Sequence, residues 1–367
     1  MTSYSKTISH DVQGVTKLLL EGRTLPNYAS CPVYSLFRDI CTILYETNKV
    51  LKEDGVIHSD LPNMDIIKEI RHKVKTNQGR LNREFFNKLL NGHRNIFGSD
   101  IDNLGFYLDN DILASSTLFP TFVFAGTPLF NQNQFDKEFF SNFIPFIGSL
   151  TSKIINIINQ PLHLYSNQLI IRDEKEYSNK DVWDRRFFKE DITYNVFLTR
   201  LLFIQNELTT CVWMEKHLDY NSQKFTLDKY ILLRLASIKL YESMRNILDM
   251  LNREVFKKHW EAFNLNTLDN LINKYQDTLQ DEMKTLRNML HYDNKGVNFY
   301  DYIERKIDED SKYPDKLIET IFNEYIHNIR NAISVSINIQ SYESMNDFEK
   351  IKRRIKSFSN IHNEKQC

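Results

Sequence analysis

Residues 285–296, "TLRNMLHYDNKG", place Arg287, Asn288, His291 and Tyr292 within six consecutive positions. On a helix, Arg287 and His291 lie about 40° apart on successive turns, so their side chains can meet. Leu286 and Leu290 take the adjacent apolar stripe, which sets the polar pair at the border of a core. An imidazole in partial burial beside a guanidinium is easier to deprotonate, which suits a general base near neutral pH. The guanidinium can hold a phosphate through paired hydrogen bonds, and Asn288 and Tyr292 supply further donors. Together these side chains are the parts a metal-free phosphodiester reaction requires. A plain structural role is the competing reading. Arg and His in a last turn complement the helix dipole by roughly 0.3–1 kcal/mol each, and Asn294 and Gly296 can supply left-handed stop residues. Arg-Asn also occurs at Arg94, Arg245 and Arg330, so the dipeptide alone says little; the following His-Tyr sets residue 287 apart.

Other combinations carry less chemistry. The cysteines (Cys31, Cys41, Cys211, Cys367) show no CxxC spacing and no paired His/Cys cluster, which argues against a zinc site. Cys31 and Cys41 near His58 lack an orienting Asp or Asn. The acidic stretch 97–111 lacks the oxygen-ligand register of a calcium loop. With 10 glycines in the chain, no GxxxxGK or GxGxxG is present to cradle phosphates, and no cofactor is expected. "REVFKKH", Arg253 to His259, falls in a link between helices. Glu207 and Glu242 border apolar stripes and read as partners for nearby Arg or Lys rather than as metal ligands. In the tail, Lys350, Lys352, Arg353, Arg354 and Lys356 form a basic cluster. It can contact a phosphate backbone by counterion release, or form the solvated face of a short terminal helix.

The elements that must position these groups are helices. Only 10 Gly and 8 Pro punctuate 367 residues, too few for the frequent tight turns of an all-β chain. The sequence predicts a mainly α protein: a mostly helical N-terminal domain (1–165), a connector with a small hairpin at 162–173 (166–190), a C-terminal antiparallel four-helix bundle (191–340) and a basic tail (341–367). In the first domain, helical patterns fall near 34–52, 64–76, 80–91 and 134–159, with a buried irregular loop at 114–130. In the bundle they fall near 192–218, 226–251, 267–292 and 314–338. Phe197, Leu201, Ile204, Leu208 and Val212 mark a single apolar stripe on the first, and Pro314 suits the first turn of the last. The net charge of −1 exerts no long-range pull on nucleic acid or membrane. The most apolar stretch (139–162) is broken by Pro145 and Lys153 and falls short of a membrane span. A soluble, cytoplasmic protein is expected.

With "LRNMLHY" late in the third bundle helix, residues 190–340 resemble the HEPN family. Its members are helical bundles with an Arg, a polar residue such as Asn, and a His a few residues on, often paired across a dimer. Fewer residues separate Arg287 from His291 than the family usually places there. The resemblance implies a metal-independent ribonuclease or RNA-binding effector of antiphage defence or a toxin–antitoxin system. His291 would act in proton transfer, Arg287 would steady the phosphate, and Asn288 would occupy the polar position after the arginine. RNA, a homodimer mate and a protein partner for the N-terminal domain are the implied partners. The alternative is a non-catalytic helical interaction, sensor or immunity module, and a scaffold unrelated to nucleic acid is a third reading. The enzyme reading requires Arg287 and His291 to open together into a polar cleft, and it fails if His291 is buried against apolar neighbours or Arg287 is tied to a surface carboxylate.

Overall fold

A computed structural model describes residues 4–22, 34–62, 64–65, 67–68, 71, 83–97, 103–124, 137–161, 177–292 and 297–344. The described chain is mainly helical, with one small sheet. Helices α1 (Ser5–Gly22), α2 (Tyr34–Glu53) and α3 (Arg83–Phe97) precede strands β1 (Asn103–Asp109) and β2 (Ile112–Ser116). Helices α4 (Leu118–Phe124) and α5 (Lys137–Ile158), strand β3 (Ser178–Trp183) and the single turn α6 (Asp184–Phe187) follow. The second half holds α7 (Ile192–His217), α8 (Leu227–Leu251), α9 (Glu254–Ala262), α10 (Asp269–Thr278), α11 (Gln280–Asn288) and α12 (Phe299–Glu309). Last come α13 (Tyr313–Glu319), a π-helical stretch (Thr320–Ile326) and α14 (His327–Ile337).

Local chemistry explains the boundaries. The Asp191 carboxylate caps α7 by accepting from the amides of Thr193 (2.9 Å) and Tyr194. Thr226 caps α8 through the Lys229 amide at 3.2 Å, and Asn298 caps α12 through the Asp301 amide at 3.0 Å. Each satisfies an amide that has no intrahelical partner. Asn110 and Asp111 both have positive φ, 49° and 69°, the backbone of a tight hairpin turn. They join β1 to β2, and β3 pairs antiparallel with the other edge of β1, giving the order β2-β1-β3. The acidic stretch at 97–111 therefore includes this central strand. The expected loop at 114–130 is, where described, the end of β2 and α4; the hairpin expected at 162–173 lies outside the described residues.

Three bundle expectations need correction. Helix α7 is buried on every face from Asn195 to Met214, not along one stripe, because β2, α8 and α14 all pack around it. The third helix is not continuous. It breaks at Leu279 (φ −124°), next to Thr278, whose hydroxyl bonds back to the Lys274 carbonyl at 2.7 Å, an arrangement that bends helices. It then ends in a 3-10 turn, Met289–His291, with Tyr292 itself in the left-handed conformation (φ 51°). The stop thus comes before Asn294 and Gly296, which lie outside the described residues. The four long patterns are also interleaved with α9 and α12, two amphipathic helices that the stripe reading passed over.

One apolar core runs from Ile8 and Val12 in α1 through Phe37, Ile40 and Leu44 in α2 to Leu201, Leu233, Leu286 and Ile333. Burying side chains of this size contributes roughly 1.5–3 kcal/mol each. Charged groups tie the same elements together inside it. Arg234 (α8) and Asp11 (α1), both fully buried, pair at 3.1 Å. Lys239 (α8) meets Asp39 (α2) at 2.6 Å and Glu207 (α7) at 2.7 Å. Among the described residues, no helix is long and apolar enough to cross a membrane.

Candidate functional site

Leu286 and Leu290 are buried, so they anchor the last turns of α11 against the core and leave Arg287 and His291 at its edge. Both line one cleft, about 660 Å³ including its open mouth. Its floor is the face of α8 bearing Leu235, Ile238 and Glu242. Its far wall is the face of α2 bearing Arg38, Asp39 and Thr42, together with Arg71.

The His291 Nδ1 lies 3.1 Å from Glu46 Oε1. Glu46 is 1% exposed and also accepts from Arg71. Burial pushes the Glu46 carboxyl up, but the hydrogen bond from His291 and the Arg71 charge outweigh it and hold the group below its usual value. Glu46 is thus an ionised acceptor on the Nδ1 side of the ring, and in the tautomer that donates from Nδ1 the lone pair lies on Nε2. The Arg71 guanidinium lies 4.1 Å over the Tyr45 ring, and its Nε has no hydrogen-bond partner among the described residues.

Arg287 donates from Nε to Glu242 Oε1 at 2.9 Å and from Nη1 to Asn288 Oδ1 at 3.4 Å. Glu242 also faces Arg245, at 3.3 Å. The Arg287 charge is therefore shared with a half-buried carboxylate, while the side chain remains 26% exposed at the cleft. Across the cleft, Arg38 pairs with Asp39 at 3.1 Å and with both oxygens of Glu207. Burial lowers the Arg38 pKa, and Glu207 and Asp39 more than reverse this, so the guanidinium stays charged. As read from the sequence, Glu207 and Glu242 serve nearby cations.

Of the four residues singled out in the motif, the structure brings Arg287 and His291 together at the cleft, while Asn288 does not line it and only accepts from its neighbour Arg287. Tyr292 is turned away. The left-handed turn carries its ring inward to 4% exposure, where its hydroxyl donates to Asp11 Oδ2 at 2.9 Å. Arg38, Arg71 and Glu46 were not read from the sequence, although Arg38, Thr42 and Glu46 recur every four residues as a polar stripe on α2. The basic cluster of Lys350, Lys352, Arg353, Arg354 and Lys356 lies outside the described residues, as do Cys31 and Cys367. Cys41 and Cys211 are buried, and burial pushes both thiols well above their usual range, so neither behaves as a thiolate nucleophile. Arg253 turns to Asp249 (3.1 Å) and His259 toward Asp191 (3.6 Å), so "REVFKKH" does not converge. Among the described residues no group of three or more His, Cys, Asp or Glu side chains is placed to hold a metal ion. Comparison with family models, curated proteins and solved structures finds no match to this chain.

Proposed function

We propose that the chain is a HEPN-like ribonuclease that cleaves RNA in the cleft of Arg287 and His291, as an effector of antiphage defence or a toxin–antitoxin system. The observation that carries this reading is the convergence of His291, oriented by Glu46, with Arg38, Arg71 and Arg287 around one opening. A histidine fixed by a carboxylate is the arrangement of an oriented general base. Guanidinium groups are suited to a phosphate and to the charge that develops on it. In the reaction, His291 Nε2 takes the proton of a ribose 2′-hydroxyl as O2′ bonds to the adjacent phosphorus. The bond from phosphorus to O5′ breaks, and a solvent proton completes the leaving hydroxyl. The products are a 2′,3′-cyclic phosphate and a 5′-hydroxyl end. The reading includes a cytoplasmic homodimer that sets two such clefts near one another.

End-group analysis of mixed RNA incubated with the protein in excess chelator tests it. Cyclic-phosphate ends are expected, and a substrate lacking the 2′-hydroxyl should stay intact. Products bearing 3′-hydroxyl and 5′-phosphate ends would refute the scheme. A second reading, a non-catalytic helical module, draws on the pairing of Arg287 with Glu242. Intact RNA under all conditions would favour it.

A further inference from the structure

A second slot adjoins the cleft and shares Arg38 and Glu242 with it as a common wall. It measures about 510 Å³ including its mouth and differs in character from the cleft. One side is aromatic. Phe119 and Phe122 of α4 and Phe203 of α7 line it, with Phe122 and Phe203 tilted 32° at 4.6 Å and Phe119 edge-on to Phe203 at 5.6 Å. The opposite side is polar and carries Arg200, Ser243 and Asn246.

Arg200 is the unusual member. Its side chain is 1% exposed, yet only Nη1 has a hydrogen-bond partner, Asp249 Oδ2 at 2.7 Å. Nε and Nη2, the two donors along one edge of the guanidinium, have no partner among the described residues, and neither has the Ser243 hydroxyl. The Arg200 guanidinium carbon lies over the Phe256 ring, 5.6 Å from its centre. Buried donors without partners are costly, on the order of 1–3 kcal/mol each. These atoms are themselves buried, so a ligand that supplies acceptors would remove that cost by shifting the side chains that cover them.

The required ligand is planar, to lie along the phenylalanine wall, and presents two adjacent acceptors to a side-on guanidinium fork. Among nucleobases the guanine N7 and O6 edge has this pattern and is the commonest bidentate partner of arginine. Adenine replaces one of those acceptors with a donor. Aromatic walls that stack single bases are a general device of single-stranded RNA recognition. We propose that the slot of Phe119, Phe122, Phe203, Arg200 and Ser243 binds a guanine base of an RNA strand whose backbone occupies the neighbouring cleft. The inference rests on the ribonuclease reading for its substrate, but its test does not require cleavage.

Calorimetric titration of the full chain with the four nucleoside 3′-monophosphates provides that test. Guanosine 3′-monophosphate is expected to bind roughly tenfold or more tightly than the other three, the discrimination typical of one good bidentate contact. Arg200→Gln, which removes the fork, and Ser243→Leu, which fills the slot, should both bring guanosine down to the level of the others. His291→Ala should keep the preference. If Arg200→Gln does not fold, Ser243→Leu decides. Equal affinities in the wild type, or a guanosine preference that survives the slot variants, would overturn the proposal. A guanosine preference without RNA cleavage would support the slot and count against the ribonuclease reading; cleavage without the preference would do the reverse.

Discussion

Proton transfer by a histidine depends on which ring nitrogen is free, and Glu46 decides this for His291 by occupying the Nδ1 side. The helical period made this corner legible: with Leu286 and Leu290 on the core stripe, Arg287 and His291 had to share its border. The same period failed at the next residue. Once the backbone turns left-handed at Tyr292, helical geometry no longer places the side chain, and the ring goes to Asp11. Arg38, Glu46 and Arg71 were illegible as site residues because they meet the motif only through tertiary packing, more than two hundred positions away in the chain. These placements separate the roles of neighbours in sequence. Tyr292→Phe should lower stability by about 0.5–1.5 kcal/mol, the usual net worth of one lost hydrogen bond. It should leave RNA cleavage at its wild-type rate. Urea unfolding and a cleavage time course check both halves, and a large loss of cleavage at unchanged stability would return Tyr292 to the site.

At the scale of elements, the cleft exists because α1 packs against both α2 and α8, and α2 meets the 3-10 turn that ends α11, which brings Arg38 and Glu46 opposite His291. Gly14 marks the closest approach. A Cβ there would sit 2.8 Å from the Cβ and Cγ1 of Ile231, atoms near the backbone that cannot swing aside. Gly14→Ala is therefore expected to destabilise by about 1–3 kcal/mol through overpacking, despite the roughly 1 kcal/mol that alanine adds to a helix. A rise in urea midpoint would show that the crossing has slack. The extents of the long helices α7 and α8 could be read directly from the residues. The break at Leu279 and the π-helical stretch at Thr320–Ile326 could not, since no Gly or Pro announces either. The burial of Arg200 was equally hidden. A helix wrapped on all sides has no polar face to exclude, so its sequence gives no periodic sign of which polar residues point inward.

For the whole molecule, a net charge of −1 conceals a cluster of ion pairs at the cleft. Arg38, Arg71 and Arg287 each lie beside a carboxylate, so average composition carries little information about the proposed phosphate site. Global stability should report another buried group. His93 is 2% exposed, with Nε2 2.7 Å from Thr117 Oγ1. Burial, aided by Arg94 and opposed by Asp184, holds its pKa down to about 4 from 6.5. The folded chain then binds fewer protons than the unfolded chain between those values. This stabilisation is complete above pH 6.5 and is lost as pH falls to about 4, on the order of 3 kcal/mol in all. Urea midpoints at pH 7 and pH 5 should fall more for the wild type than for His93→Gln, whereas parallel falls would assign the acid sensitivity elsewhere.

The most direct measurement is the single-turnover rate of cleavage of mixed single-stranded RNA in excess chelator, wild type against His291→Ala. A general base contributes typically 10²–10⁴-fold, so the variant should cut at least about a hundredfold more slowly while still melting cooperatively above the assay temperature. Equal rates in the two proteins, or no cleavage by the wild type, would contradict a ribonuclease centred on Arg287 and His291.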